Sequence, residues 1–323
     1  MAAGGMILTV TLNPALDRTM TVPNFQAGLR HRATETVILP GGKGINVARA
    51  AKSLGRPVIA TGFIGGRKGD QIVSDLNDEG ILCDFVRVAG ESRISTAVVD
   101  PTTGVVTEIN EQGPELSSKD LEPLHEKLEY LGKAADVVVF GGSVPPGLDD
   151  DCYAGLIEHA RKMGLTTIFY TYADPLRHGL KAKPDYVFPK MVEAENAMGY
   201  EFGGVDDQLR AAHTMREMGA GSVIITHRFG CVAELAEKGG SRCFVGTMPE
   251  VELVSPLGWN DAFVAGYAVR LLEGDRPSDC LRFGLGCGTA NLARYGAGVL
   301  LPEEAARFAK AVKLEEVKSA TRE

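Results

Sequence analysis

Three short stretches bring together residue types able to do chemistry. The first is Pro40-Gly41-Gly42-Lys43-Gly44-Ile45-Asn46. Its glycines let the backbone approach a ligand, free amides at the start of a following helix favour an anion, and Lys43 adds positive charge. The same residues also describe a glycine-rich turn with a solvated lysine, and the G-x-x-x-x-G-K-S/T spacing of a P-loop is absent. The second stretch, Leu12-Asn13-Pro14-Ala15-Leu16-Asp17, closes an apolar run. Ligands collect at the carboxyl ends of strands in open α/β sheets, where Asp17 can accept hydrogen bonds from ligand hydroxyls or simply be a turn aspartate. The third, Pro256-Leu257-Gly258-Trp259-Asn260-Asp261, leads into an apolar helix. Asp261 at its mouth reads either as a first-turn carboxylate favoured by the helix dipole or as a general base beside an anion-binding helix N-terminus.

These residues need a scaffold to bring them together. Residues 6–12 and 58–64 read as buried strands, and 46–54 as a helix closed by Gly55. A helix follows at 70–79. Strand-like pieces at 19–22 and 34–39, and three alternating strands within 81–111 (ILCDFVRV, STAVVD, VVTEIN), carry an antiparallel signature. Helices at 118–131, 150–163, 174–180, 190–198 and 206–218 then intersperse strands at 136–140, 166–170, 185–188 and 222–226. A hairpin over 231–246 and helices at 261–272 and 278–293 close the pattern. Continuous apolar strands alternating with helices predict an α/β fold, a mostly parallel sheet covered on both faces. The antiparallel pieces, about 12–40 and 81–111, predict a small β lid inserted into one domain spanning 1–323.

With 323 residues, 44% hydrophobic and 24% charged, the chain has the ordinary globular mixture, which excludes disordered and fibrous classes. A net charge of −8 argues against a nucleic-acid binder driven by general basicity. Six cysteines without a C-x-x-C pair read as reduced, mostly buried thiols. The N-terminus lacks the basic region of a signal peptide, and no apolar run is long enough to span a membrane, so a cytoplasmic location is expected. Met6 offers an alternative start, with 1–5 as an extension.

Read in order, TLNPALD, PGGKGINVARAAKSLG, SRISTAVVDPTTGVVTEINEQGPELS, GGSVPPG, LRHGLKAKPD and the final G-x-x-D helix resemble the PfkB (ribokinase-like) carbohydrate-kinase family over nearly the whole chain. Within it, the segments are similar to the branch of 1-phosphofructokinases and tagatose-6-phosphate kinases. The resemblance implies a three-layer α/β/α domain with a β lid and a sugar phosphate held between them. On that analogy Asp17, Gly41, Gly42 and Asn46 hold the sugar, while Lys43 and Arg93 bind its phosphate. Asp261 takes the proton of the attacked hydroxyl, Gly258 and Asn260 belong to the anion hole, and Glu193 organises Mg²⁺ through water. Lys190, Thr226, Arg228, Gly230 and Trp259 fall on the ATP side. The implied reaction is phosphoryl transfer to a ketohexose phosphate such as fructose 1-phosphate, fructose 6-phosphate or tagatose 6-phosphate. A homodimer through the lid is also implied.

The acceptor half follows the family pattern more closely than the donor half. The usual G-A-G-D is Gly258-Trp259-Asn260-Asp261, and K-P-N-x-x-E becomes Phe188-Pro189-Lys190-Met191-Val192-Glu193. The strand end L-D-T-S is Phe169-Tyr170-Thr171-Tyr172, and S-L-G-x-x-G reads Thr226-His227-Arg228-Phe229-Gly230. Near the acceptor, S-R-I-S replaces T-R-T-N around Arg93. Two functions fit these departures: a kinase with altered donor binding, or a sugar-phosphate binder that has lost ordinary ATP use. Another donor or reaction in the same cleft is a further alternative.

Overall fold

In a computed structural model describing residues 5–228 and 230–319, the apolar runs build a mostly parallel sheet. Strands β1 (Ile7–Thr11), β4 (Val58–Ile64), β9 (Val137–Gly141), β10 (Thr166–Tyr170), β11 (Tyr186–Val187) and β12 (Ser222–His227) pair in parallel in the order β4-β1-β9-β10-β11-β12. The apolar runs are continuous because both faces are covered. Val137 and Val139 of β9 join one hydrophobic cluster, whereas Val138 and Phe140 join the other, as a two-residue period requires.

Helices α1 (Lys43–Ser53), α2 (Gly66–Asp78), α8 (Trp259–Leu272), α9 (Pro277–Leu292) and α10 (Pro302–Ala311) contribute to the first cluster. Helices α3 (Ser118–Gly132), α4 (Cys152–Lys162), α5 (Ala173–Leu180), α6 (Met191–Met198) and α7 (Val205–Glu217) contribute to the second. At one edge, β13 (Gly230–Glu237), β14 (Gly240–Thr247) and β15 (Lys313–Val317) extend the sheet in antiparallel fashion.

A separate sheet forms the lid, in the order β3 (Glu35–Gly41), β2 (Ala15–Thr21), β7 (Arg93–Asp100), β8 (Val105–Asn110). Its two outer pairs are antiparallel, but β2 and β7 run parallel, so the expected purely antiparallel appendage is a mixed sheet.

The segment 81–88, expected as a lid strand, instead supplies β5 (Leu82–Cys83) and β6 (Val86–Arg87), both paired with β4 in parallel. Asp84 interrupts the run: its amide donates to Ala60 O, its carbonyl accepts from Thr61 Oγ1, and its carboxylate pairs with Lys127 at 2.5 Å. Strand β2 starts at Ala15, which places Asp17 within a strand and not in a turn. Helix α10 and strand β15 lie beyond the last element read from the sequence. All six cysteines are free thiols. Among the described residues, no helix is long and apolar enough to cross a membrane.

Candidate active site

The lid and the carboxyl ends of the parallel strands enclose a cleft of about 910 Å³. On the lid wall, register places Leu39, Asp17, Ser95 and Asn110 in one row across four strands, all facing the cleft. Ser95 donates a hydrogen bond to the Asn110 amide oxygen. Asp17 leans over Gly41, where a Cβ would stand 2.0 Å from its Oδ2, so a glycine is required for this packing. Burial raises the Asp17 pKa to about 6, with Arg93 opposing the shift and the Asp261 charge adding to it.

Arg93, at the start of β7, donates through Nε to Asn13 O at 3.1 Å and through its terminal nitrogen to Glu111 O at 3.4 Å. The Asn13 side chain in turn donates to Gln112 O at 2.8 Å and Ser143 Oγ at 3.1 Å. Asn13 therefore ties the lid to the loop after β9.

The floor is made where two helices begin. Both α1 and α8 start after a glycine in the left-handed region, Gly42 (φ 104°) and Gly258 (φ 81°), with no side-chain cap. Their first-turn amides lack intrahelical partners, and both glycines line the cleft. Gly258 also permits close packing, since a Cβ would lie 2.3 Å from Ala297 Cα.

Asn46 of α1 donates to Asp261 Oδ2 of α8 at 2.9 Å, a buried bond that joins the two helices. Asp261 is 7% exposed and lines the cleft. Burial raises its proton affinity, while Lys43 and Asn46 oppose the shift. The Asn46 and Asn260 amide oxygens are buried and unpartnered within the chain, leaving acceptors for ligand donors.

Lys43 lines the same cleft. Its ammonium lies 3.0 Å from Glu193 Oε1 and 3.9 Å from the centroid of the Tyr170 ring. Burial lowers its pKa, partly offset by Glu193 and reinforced by Lys190. The cleft thus has Arg93 acting on Asp17, Lys43 in the field of Lys190, and Asp261 at the meeting of the helices.

This arrangement has counterparts among known proteins. Residues 10–304 match the pfkB family of carbohydrate kinases. The chain belongs to that family. It is 31% identical over 285 residues to the 1-phosphofructokinase of Borreliella burgdorferi, covering 88% of this chain and 91% of the relative. It is 30% identical over 314 residues to a tagatose-6-phosphate kinase of Staphylococcus epidermidis, covering 97% and 100%. The fold superposes on a possible 1-phosphofructokinase from Thermotoga maritima with a TM-score of 0.88 at 28% identity, covering 97% of this chain and 100% of that one. It also superposes on phosphofructokinase-2 from Escherichia coli in complex with substrates and products, with a TM-score of 0.86 at 27% identity, covering 94% and 98%. Membership makes this PfkB-family chain a phosphotransferase with an alcohol acceptor on a ribokinase-like fold.

Of the site residues read from the sequence, Asp17, Gly42, Lys43, Asn46, Arg93, Lys190, Gly258, Trp259, Asn260 and Asp261 line this cleft. Gly41 and Glu193 stand behind it, against Asp17 and Lys43 respectively. Thr226, Arg228 and Gly230 do not line it. Thr226 is buried beside Lys190 at the end of β12, and Gly230 opens β13, where a Cβ would strike Gly246 O at 1.8 Å. Gly230 therefore serves strand pairing here, and Phe229 lies outside the described residues. The Trp259 ring stacks at 10° on Phe263 one helical turn on, with centroids 6.4 Å apart.

The PfkB sequence pattern alone did not single out Asn13, Tyr170 or Ser95 as site residues. For Ser95 the signal was available: with Arg93 and Ala97 it follows the two-residue period of a strand whose one face lines a ligand cleft.

Family members generally use ATP and Mg²⁺. In this chain the nearby carboxylates are already engaged: Glu193 accepts from Lys43 and from the Lys190 amide (2.7 Å), and Asp261 accepts from Asn46. Among the described residues no group of three or more His, Cys, Asp or Glu converges to hold a metal. These residues do not fit a resident Mg²⁺ site built by the protein.

Proposed function

We propose that the protein transfers the terminal phosphoryl group of ATP to a hydroxyl of a ketohexose phosphate, giving a bisphosphate. The observation that carries this reading is the buried Asn46–Asp261 bond at the point where two helix N-termini open on one cleft. It joins a carboxylate of raised proton affinity to a cleft that also holds Arg93, Lys43 and Lys190. The acceptor's phosphate belongs with the Arg93 guanidinium, which suits a phosphate dianion, and its hydroxyls with Asp17 and the row across the lid. The transferred group belongs near Lys43 and the first amides of α8, where charge develops in the transition state.

Asp261 then takes the proton of the attacking hydroxyl, and Asn46 holds that carboxylate in place through the transfer. In this reading Lys43 acts on the transferred phosphoryl group and not on the acceptor's own phosphate, because its partners are Glu193 and Tyr170.

Relatives matching nearly the whole chain carry kinase names, and nothing in the comparisons favours a binder without donor chemistry. Self-association through the lid also belongs to this reading: β3 and β8 are its edges, and Ile38, Val105 and Ile109 are exposed on them. A related phosphofructokinase-2 is described as having a tetrameric inhibited form.

The test is ATP-dependent turnover of fructose 1-phosphate, fructose 6-phosphate and tagatose 6-phosphate, with the product identified by mass. Turnover of at least one, abolished by Asp261→Asn, supports the reading. Binding of a ketose phosphate with no transfer to any of the three overturns it.

A further inference from the structure

Two positions at the donor end carry more positive charge than the family pattern. Lys190 stands where K-P-N-x-x-E has an amide, and Tyr170 stands where L-D-T-S has a carboxylate. Each replacement shifts the formal charge by one unit in the same direction. Together they supply the charge of one Mg²⁺.

The geometry shows how that charge is kept available. Tyr170 ends β10, and its buried ring lies under the Lys43 ammonium at 3.9 Å. An aromatic face attracts an ammonium without neutralising it, so Glu193 offsets Lys43 without a second carboxylate at position 170, and Lys43, Lys190 and Glu193 together keep a formal net positive charge. Glu193 is the carboxylate within ion-pair distance of Lys43, and Asp261 also faces it. Lys190 is exposed, lines the same cleft and forms no ion pair among the described residues. Two like charges facing one cleft repel each other, and an anion between them relieves that repulsion.

Resting on the kinase reading above, we propose that Lys43, presented by Tyr170, and Lys190 neutralise the donor's phosphates in place of much of the charge that a divalent cation supplies. The triphosphate then binds this chain with little dependence on Mg²⁺.

The experiment is calorimetric titration of the full chain with the non-hydrolysable nucleotide AMP-PNP, once with excess MgCl₂ and once with EDTA. The expected result is a Kd in EDTA within about tenfold of that with Mg²⁺ (about 1.4 kcal/mol). The double variant Tyr170→Asp, Lys190→Asn, checked for intact fold by circular dichroism, is expected to widen that ratio by at least about tenfold. Binding of the wild-type chain only with Mg²⁺ overturns this inference and leaves the kinase reading standing. A ratio unchanged in the double variant also overturns it, because the lysine charge is then not its source. Failure of AMP-PNP to bind in either buffer, with fructose 6-phosphate still bound, overturns the inference and the kinase reading together.

Discussion

The two ends of the cleft are built on different principles. At the end proposed for the acceptor, four strands in register hold Leu39, Asp17, Ser95 and Asn110 in a row, and Arg93 is fixed by the backbone carbonyls of Asn13 and Glu111. Position there comes from a hydrogen-bonded lattice. At the end proposed for the donor, Lys43, Lys190 and Glu193 sit where strands give way to helices, and an ion pair with an aromatic face does the placing. A lattice specifies where a neutral hydroxyl must go. A cluster of charge specifies how much anion the site takes, and leaves its exact seat to the ligand.

The sharpest way to break this comparison is Asp261→Asn, since that carboxylate belongs to both ends. We expect kcat to fall by roughly a thousandfold with ketose-phosphate affinity close to wild type, measured by steady-state turnover alongside calorimetry. A parallel loss of affinity would mean that the residue positions the acceptor and does not act on its proton.

Next in size is Gly258→Ala. The left-handed backbone and the contact with Ala297 together predict a loss of about 3 kcal/mol in stability, read from urea denaturation. A variant as stable as wild type would show that the loop can move away from Ala297.

Arg93→Ala against Lys43→Ala separates the two ends directly. The first should weaken ketose-phosphate binding about 10- to 100-fold with kcat largely kept. The second should lower kcat and donor affinity while acceptor binding changes little. Equal effects of both on acceptor affinity would return Lys43 to the acceptor's phosphate.

A further effect, on stability and not on binding, concerns Asp17. Its pKa in the folded chain, about 6, lies above the ordinary carboxylate value, so between about pH 4 and pH 6 the folded chain keeps a proton that the unfolded chain has released. Stability from this group is therefore lost as pH rises through that window. Asp17→Asn should remove this group's share of the slope and be more stable by up to about 2–3 kcal/mol at pH 8, the difference closing near pH 4 in urea titrations. An unchanged pH profile would show that Asp17 titrates normally.

Much of the site was legible because its chemistry is local. Gly42-Lys43 and Gly258 through Asp261 each sit at a helix start that the residue types announce, and both helix starts reach the cleft. What escaped depends on partners far away in sequence. The alternation in ILCDFVRV suits any strand, and only the bonds of Asp84 to Ala60 and Thr61 assign it to the edge of the main sheet. The partner of Lys43 could not be read locally either, since Glu193 lies 150 residues on. The need for glycine at 230 was equally hidden, because a Cβ there would meet Gly246 on the neighbouring strand. The closing helix and strand at 302–317 follow a turn-rich stretch and are short, at ten and five residues.

The tether between β1 and β2 is only Leu12 to Pro14, and Gly42 alone separates β3 from α1. On this side the lid has no slack to slide; it can only rock about those few bonds. Asp17 and Lys43 sit beside these pivots, on β2 and at the first turn of α1, and Asn13 sits within one. Any rocking of the lid therefore re-aims Asp17 and Lys43 relative to each other, so the two walls of the cleft cannot be moved independently.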